Sequence, residues 1–378
     1  MVKKMKYTKS KLPDICTIKT GKHDANLANK EGKYRFYTCS NQYSMCDTYS
    51  FTGESVIVPG NGDIGLVFYY DGEFDAYQRT YVLSDIKILP KYLFYHMQLY
   101  WRNFNDRKKF GSTVKYVRMS NFTNYEISYP SIEEQQCIVA KIEELFSYLD
   151  NAVETLNATK TQLEVYRQAV YASIYDYNNV RPITDFFEVT GGLTKNSKRN
   201  TLPKKMPYLR VANVYFNMLD LSEIKEIGVN EQEIEKCLLK KNDLLFVEGN
   251  GSKSQIGRVA IWDGSIENCL HQNHLIKARP LGNMIPAYAL FYLISGGGRK
   301  QINEVSKSTS GLYTLSTNKV RELMIPYCDY EKQQQGVDEI ESRLSVCKSI
   351  EETVDTALQQ ATAMRQSILK QAFEGRLL

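Results

Sequence analysis

Three groups of residues in this 378-residue chain have types and spacings that suggest chemistry. Pro13-Asp14 followed by Glu31-Gly32-Lys33 fits the PD…ExK pattern, in which carboxylates hold a metal and a lysine steadies the charge of phosphodiester cleavage. That pattern is short, has no copy in the second half of the chain and lacks a convincing strand pair between its parts, so chance composition explains it better. Gly60-Asn61-Gly62-Asp63-Ile64-Gly65 is a literal GxGxxG, but a dinucleotide site needs a helix next. The next residues, Leu66-Val67-Phe68-Tyr69-Tyr70, read as a strand, which makes the glycines a turn. Cys269-Leu270-His271 with His274 suggests a metal corner, yet the cysteines at 16, 39, 46, 137, 237, 328 and 347 form no CxxC pair. Core or surface roles fit them better. There is no GxSxG elbow, no P-loop and no Asn-Pro-Pro-Tyr or Asp-Pro-Pro-Tyr string. The chain therefore reads as non-catalytic, with no metal site and no cofactor bound by the chain itself.

The positions that surround these residues are organised by a repeat. Residues 133–172 align without a gap to residues 331–370, with identities that include Gln135/Gln333, Gln136/Gln334, Ile142/Ile340, Glu154/Glu352, Arg167/Arg365 and Gln168/Gln366. An insertion in a helix rotates everything after it, so an ungapped match of this length suits a helix. Ile142, Leu149, Leu156, Leu163 and Val170, and likewise Ile340, Cys347, Val354, Ala361 and Ile368, are apolar at intervals of seven. Five heptads in one register predict two long helices that pair as a coiled coil, antiparallel if a two-fold relates the halves. At 1.5 Å per residue each is roughly 60 Å long, a spacer rather than part of a globular core. Pro130 and Pro326 precede the two helices and Pro182 lies beyond the first.

Charge divides at the same places. Residues 1–129 carry net +7, residues 130–179 net −5, residues 180–326 net +6 and residues 327–378 net −3. Two basic globules alternate with two acidic rods; the globules suit a polyanion and the rods suit a protein partner. The globules repeat faintly. Residues 53–78 and 241–272 share, in order, an apolar run, Gly-Asn-Gly (60–62, 249–251), Ile-Gly, Asp-Gly and a lone glutamine, Gln78 or Gln272. Short β-rich runs broken by Gly and Asn, with helical stretches at 90–101 and 286–294, predict two α+β domains of one fold. The predicted architecture is an α+β chain with a pseudo-two-fold internal repeat: two similar, mixed or β-rich domains with short helices (1–129 and 180–326), separated by long antiparallel coiled-coil helices in segments 130–179 and 327–378.

Taken together, the order globule, helix, globule, helix resembles the specificity (S) subunit of type I restriction-modification systems. The motifs are Ser131-Ile132-Glu133-Glu134-Gln135-Gln136, Glu331-Lys332-Gln333-Gln334-Gln335 and the closing Met364-Arg365-Gln366-Ser367-Ile368-Leu369-Lys370-Gln371-Ala372-Phe373-Glu374-Gly375-Arg376-Leu377-Leu378. The first helix lacks the Phe-Glu-Gly ending of the second. The resemblance implies two target recognition domains, each on half of a bipartite double-stranded DNA site, at a separation fixed by the helices. It also implies two docked methyltransferase (M) subunits, restriction (R) subunits reached through them, and S-adenosylmethionine, ATP and Mg on those partners.

For such a reader, lysine and arginine on phosphates supply affinity, and a few side chains on base edges supply specificity. The polar, Gly- or Ser-containing stretches offer Lys19, Lys22, Lys33, Arg35, Lys108, Lys109 and Lys115 for phosphate in the first domain, and Lys195, Lys198, Arg199, Lys253, Arg299, Lys300 and Lys307 in the second. Gln and Asn can bond adenine, and Arg guanine, with two hydrogen bonds each. On that ground Asn41, Gln42, Gln78 and Arg79, then Arg210, Asn213, Gln272 and Asn273, are the expected base readers. The lysine-rich residues 1–11 read either as an arm on phosphate or as a solvated tail.

Two other classes are weighed against this one. A coiled-coil scaffold that binds only proteins predicts no salt-dependent binding to duplex DNA; a stand-alone nuclease or DNA-modifying enzyme predicts cleavage or methyl transfer by the chain alone. Scattered cysteines, no apolar N-terminal segment and no run of eighteen apolar residues predict a reducing cytoplasm and no membrane anchoring. The 27 tyrosines supply apolar area with a polar tip for cores and interfaces.

Overall fold

The structure, a computed structural model, describes residues 6–106, 110–111, 114–309 and 311–377, with residues 307–309 described through their backbone alone. The chain divides into two compact units: residues 1–157 with 355–378, and residues 158–354. Each unit thus combines one globule with part of both long helices.

In unit 1 the apolar run Ser55–Pro59 is buried on both faces, as a central strand must be. It lies in a four-stranded antiparallel sheet in the order Thr17–Thr20, Thr80–Ser84, Ser55–Pro59, Phe68–Tyr70. A three-stranded sheet has the order Ser44–Cys46, Tyr34–Tyr37, Phe74–Ala76, the last pair being parallel. Thr8–Lys11 pairs with Glu126–Tyr129. The helix Pro90–Asp106 buries Tyr92, Leu93, Met97 and Trp101 in one core with the sheet, and His96 beside Tyr125 and Phe373.

Unit 2 repeats these three sheets and adds two small ones, Val214–Tyr215 with Met218–Leu219, and Leu312–Thr314 between Gly249–Asn250 and Lys307–Thr309. Its four-stranded sheet runs Phe187–Gly191, Leu275–Pro280, Leu244–Val247, Val259–Ile261, and its three-stranded sheet runs Lys225–Gly228, Lys205–Leu209, Leu270–His271, again with the last pair parallel. Val180–Pro182 pairs with Met324–Pro326. Where unit 1 has one helix, unit 2 has two, Pro286–Ile294 and Gly296–Val305. The break falls at Ser295, whose extended backbone precedes three glycines and whose hydroxyl accepts from Gly298 N–H. A Cβ at Gly298 would lie 2.2 Å from the Tyr292 carbonyl oxygen, so only glycine allows that turn.

The long helices run unbroken over Ile132–Ala172 (41 residues) and Tyr330–Phe373 (44 residues). All ten heptad positions are buried or half-buried, Leu156 and Ile368 being the half-buried ones. In unit 2 the helices are antiparallel: Arg167 bonds Glu351 at 2.5 Å, and further along Ile174 packs on Gly336. In unit 1 the repeat-related Arg365 pairs with Asp150 and sits over the Phe146 ring. The reading of these helices as spacers outside the globular cores is corrected. Ile138, Val139, Ile142, Phe146 and Leu149 share one core cluster with Leu12, Val56 and Trp101, as Val170, Val337 and Ile340 do with Leu244 and Phe291. The helix ends bury apolar faces that a freely solvated rod would leave exposed.

Candidate nucleic-acid interface

Backbone hydrogen bonds gather several loops of unit 1 at one end of its sheets. Gln78 N–H donates to His23 C=O, Tyr77 N–H to Tyr37 C=O, Gly60 N–H to Arg79 C=O at 2.8 Å, and Val117 N–H to Gly60 C=O. Thr80 N–H closes the turn onto Tyr77 C=O. Gly60 must be glycine here, because a Cβ would lie 2.3 Å from the Arg79 carbonyl oxygen. The result is a cleft of about 390 Å3 lined by Asn61, Gln78, Arg79, Tyr81, Tyr116 and Val117. Its aromatic walls are braced: Tyr81 packs on Phe122, Tyr116 stacks on Phe110, and the Arg118 guanidinium lies over Phe110 and bonds the Tyr116 hydroxyl.

Unit 2 uses the same bonds. Asn273 N–H donates to Leu193 C=O, Gln272 N–H to Leu209 C=O, Glu248 N–H to His274 C=O, Leu315 N–H to Glu248 C=O, and Leu275 N–H to Gln272 C=O. These bonds fix the register: Tyr77-Gln78-Arg79 corresponds to Gln272-Asn273-His274, and Gly60 to Glu248. The likeness read between Gln78 and Gln272 is therefore displaced by one residue, as is that between the two Gly-Asn-Gly turns, since Asn61 pairs with Tyr116 where Gly249 pairs with Thr314. Strand pairing, not turn composition, sets the correspondence.

Of the expected phosphate ligands, Lys19, Lys22, Lys33, Lys115, Lys195, Lys198, Lys253 and Lys300 are exposed. Lys22 comes after Gly21, whose N–H bonds Thr80 C=O, and Lys115 C=O accepts from Gly62 N–H, so both flank the cleft, while Lys19 lies on the strand Thr17–Thr20 and Lys33 at the bend before Tyr34–Tyr37. Asn41 and Gln42 are exposed on the loop after Cys39, whose thiol bonds Arg79 C=O. Lys108 and Lys109 lie outside the described residues, and Lys307 lies on a strand whose side chains are not described.

Five expected DNA ligands are instead held within the fold. Arg199 is buried, bonding Glu233 through two nitrogens and the carbonyls of Thr194 and Gly228, and this pairing holds the Glu233 carboxyl below its ordinary range. Asn213 is buried and joins Arg210 N–H to the carbonyls of Asp220 and Glu223. Arg210 bonds Glu223, and Arg299 bonds the carbonyls of Gly257 and Ser254 over the Phe216 ring, where burial pushes its pKa down to about 10. Arg35 is wedged between the Tyr43 and Tyr70 rings and bonds Tyr37. Composition alone does not distinguish such braces from free cations. It also passes over Asn61, Tyr116 and Arg118, which only hairpin pairing brings to the cleft.

The motifs that suggest enzymes occupy ordinary structural positions. Asp14 accepts from Lys11 N–H at the start of a short helix, and Lys33 lies over the Tyr34 ring. Gly62, at φ +76°, turns the GxGxxG segment toward a strand. His271 is buried, its Nδ1 on Cys237 C=O, and burial pushes its pKa down to about 3; His274 is exposed and bonds Glu248. Neighbours in sequence, the two imidazoles serve separate partners.

Comparison with known proteins places this doubled architecture. The description of the type I restriction modification DNA specificity domain matches residues 4–165 and again residues 176–360. The chain belongs to that family. Within it, the chain is 24% identical to the type I restriction enzyme EcoDI specificity subunit of Escherichia coli, covering 97% of this chain and 87% of that protein. It is 25% identical to the EcoKI specificity subunit of Escherichia coli K12, over 71% of this chain and 61% of that one. A solved chain concerned with complex assembly and conformational transition of the type I R-M system matches the fold with a TM-score of 0.74 at 15% identity, covering 99% of this chain and all of that one. Two specificity domains in one chain are thus what the family match shows, and the matched backbone register is that repeat seen at single residues.

Proposed function

We propose that this chain is the DNA-reading, non-catalytic subunit of a type I restriction-modification complex, each unit reading one half of a bipartite duplex site. The observation that carries this reading is the matched loop set, residues 77–79 with 60–62 and 115–118 in unit 1 and residues 272–274 with 248–250 and 313–315 in unit 2. Exposed donors and acceptors are held there by backbone bonds, which is what reading base edges requires. Lys22 and Lys115, and Lys195 and Lys253, supply sequence-independent attraction beside them. Gln78 and Arg79, and Gln272 and Asn273, reach base edges, with Asn41 and Gln42 nearby.

Methyltransferase subunits dock on the long helices, two of them, and restriction subunits join through these; S-adenosylmethionine, ATP and Mg act on those partners. Exposed apolar residues recurring at the repeat spacing, Tyr148/Val346 and Tyr166/Met364, support two equivalent protein surfaces. No helix among the described residues is long and apolar enough to cross a membrane, which is compatible with work on cytoplasmic DNA. Inserting one heptad in either helix tests the ruler role: the unread gap between half-sites changes while the half-sites stay the same. A changed half-site at constant gap contradicts it.

A further inference from the structure

In unit 1 the residue whose carbonyl accepts from Gly60 is Arg79, an exposed guanidinium at the cleft. The residue in the same register of unit 2 is His274, whose carbonyl accepts from Glu248 N–H at 3.0 Å. Five matched backbone bonds fix that equivalence, and they extend to the residue after each: Thr80 pairs with Pro59 as Leu275 pairs with Val247. Unit 2 therefore places an imidazole where unit 1 places a guanidinium.

His274 is not left to rotate. Its Nδ1 lies 2.9 Å from Glu248 Oε2, and its side chain is 56% exposed while that of Glu248 is 31% exposed. Glu248 stands in the position of Gly60, so unit 2 adds a carboxylate where unit 1 has no side chain. A carboxylate on one ring nitrogen fixes the ring plane and sets which nitrogen carries the proton, leaving Nε2 as the polar edge turned to the surroundings. Structural histidines in this chain look different: His96 and His271 are buried, with their partners inside the core.

We infer that His274, held by Glu248, is a specificity-determining residue of unit 2, presenting Nε2 to a base edge of the half-site this unit reads. Glu248 is its positioning residue. The inference rests on the DNA-reading role proposed for the chain and identifies a reader that residue type alone points away from.

The test uses the chain assembled with its methyltransferase subunits, acting on a library of duplexes randomised in both half-sites, with methylated sequences counted. His274→Ala is expected to lower discrimination about tenfold at one base pair of one half-site and to leave the other half-site unchanged. Glu248→Ala is expected to weaken preference at that same base pair, because the ring is no longer held. Uniformly reduced methylation of all sequences by His274→Ala, or an unchanged preference at every position, overturns the inference. If His274→Ala fails to assemble, Glu248→Ala alone decides by the same criterion. A wild-type complex that methylates with no bipartite preference refutes the DNA-reading role itself, a result distinct from either variant's failure.

Discussion

Gln135 and Gln333, identical residues 198 positions apart, make the same pair of buried hydrogen bonds in the two units. Gln135 Oε1 accepts from Leu89 N–H and its Nε2 donates to Pro130 C=O; Gln333 Oε1 accepts from Ile285 N–H and its Nε2 donates to Cys328 C=O. Both side chains are nearly inaccessible, at 2% and 0% exposure. Leu89 and Ile285 precede the prolines that start each globule's helix, so one amide ties a long helix to its domain. Replacing Gln135 with Leu orphans two backbone groups and costs about 2–5 kcal/mol of stability. Urea denaturation checks this; a change within about 0.5 kcal/mol shows that water or relaxation replaces the bonds.

Arg199 gives the second prediction, because its guanidinium is tied to Glu233 and Gly228 within the fold. Arg199→Ala strands Glu233, whose partial exposure limits the loss to about 2–3 kcal/mol. Denaturation should register that loss, while the salt dependence of DNA binding by the folded variant stays unchanged. A salt slope reduced by about one returns Arg199 to the phosphate ligands.

Lys22→Ala and Lys195→Ala should do the reverse. Each is expected to weaken DNA binding of the assembled complex on all sequences alike and to reduce the salt slope by about one, without altering either half-site. Binding titrations from low to moderate salt measure it, and a change of sequence preference argues against phosphate roles.

Burial also sets a dependence on pH. His96 and His271 have pKa values pushed down to about 3, from an ordinary value near 6.5, so the folded chain keeps them neutral where the unfolded chain protonates them. The unfolded state then binds more protons between these values, and stability falls as pH drops below about 6.5, by up to ~1.4 kcal/mol per pH unit for each histidine. Urea midpoints at pH 7.5 and 5.5 should show the decline, and His96→Phe should lessen it. Equal acid sensitivity in the variant removes His96 from the account.

The repeat was legible because heptads and the ungapped match act through local spacing, and the ten heptad residues indeed turn inward. Domain cores were legible as apolar runs such as Val56-Ile57-Val58. Residue-level equivalence was not, because the turn segments at Gln78 and Gln272 resemble each other more than their strand registers allow. Nor was the fate of Arg199 and Arg299, whose partners at Gly228, Glu233 and Gly257 lie far along the chain, or of Arg210 and Asn213, which meet Asp220 and Glu223 once the hairpin at 214–219 folds back. Charge indicates a cation; only tertiary structure decides whether it faces solvent or a carbonyl.

The most direct test of the central claim, that two matched loop sets read two half-sites, is genome-wide mapping of methylated bases in cells carrying the wild-type chain or Arg79→Ala. The wild type should produce one interrupted motif that vanishes without the gene, and Arg79→Ala should relax a position in one half alone. An uninterrupted motif, or both halves altered together, contradicts the account.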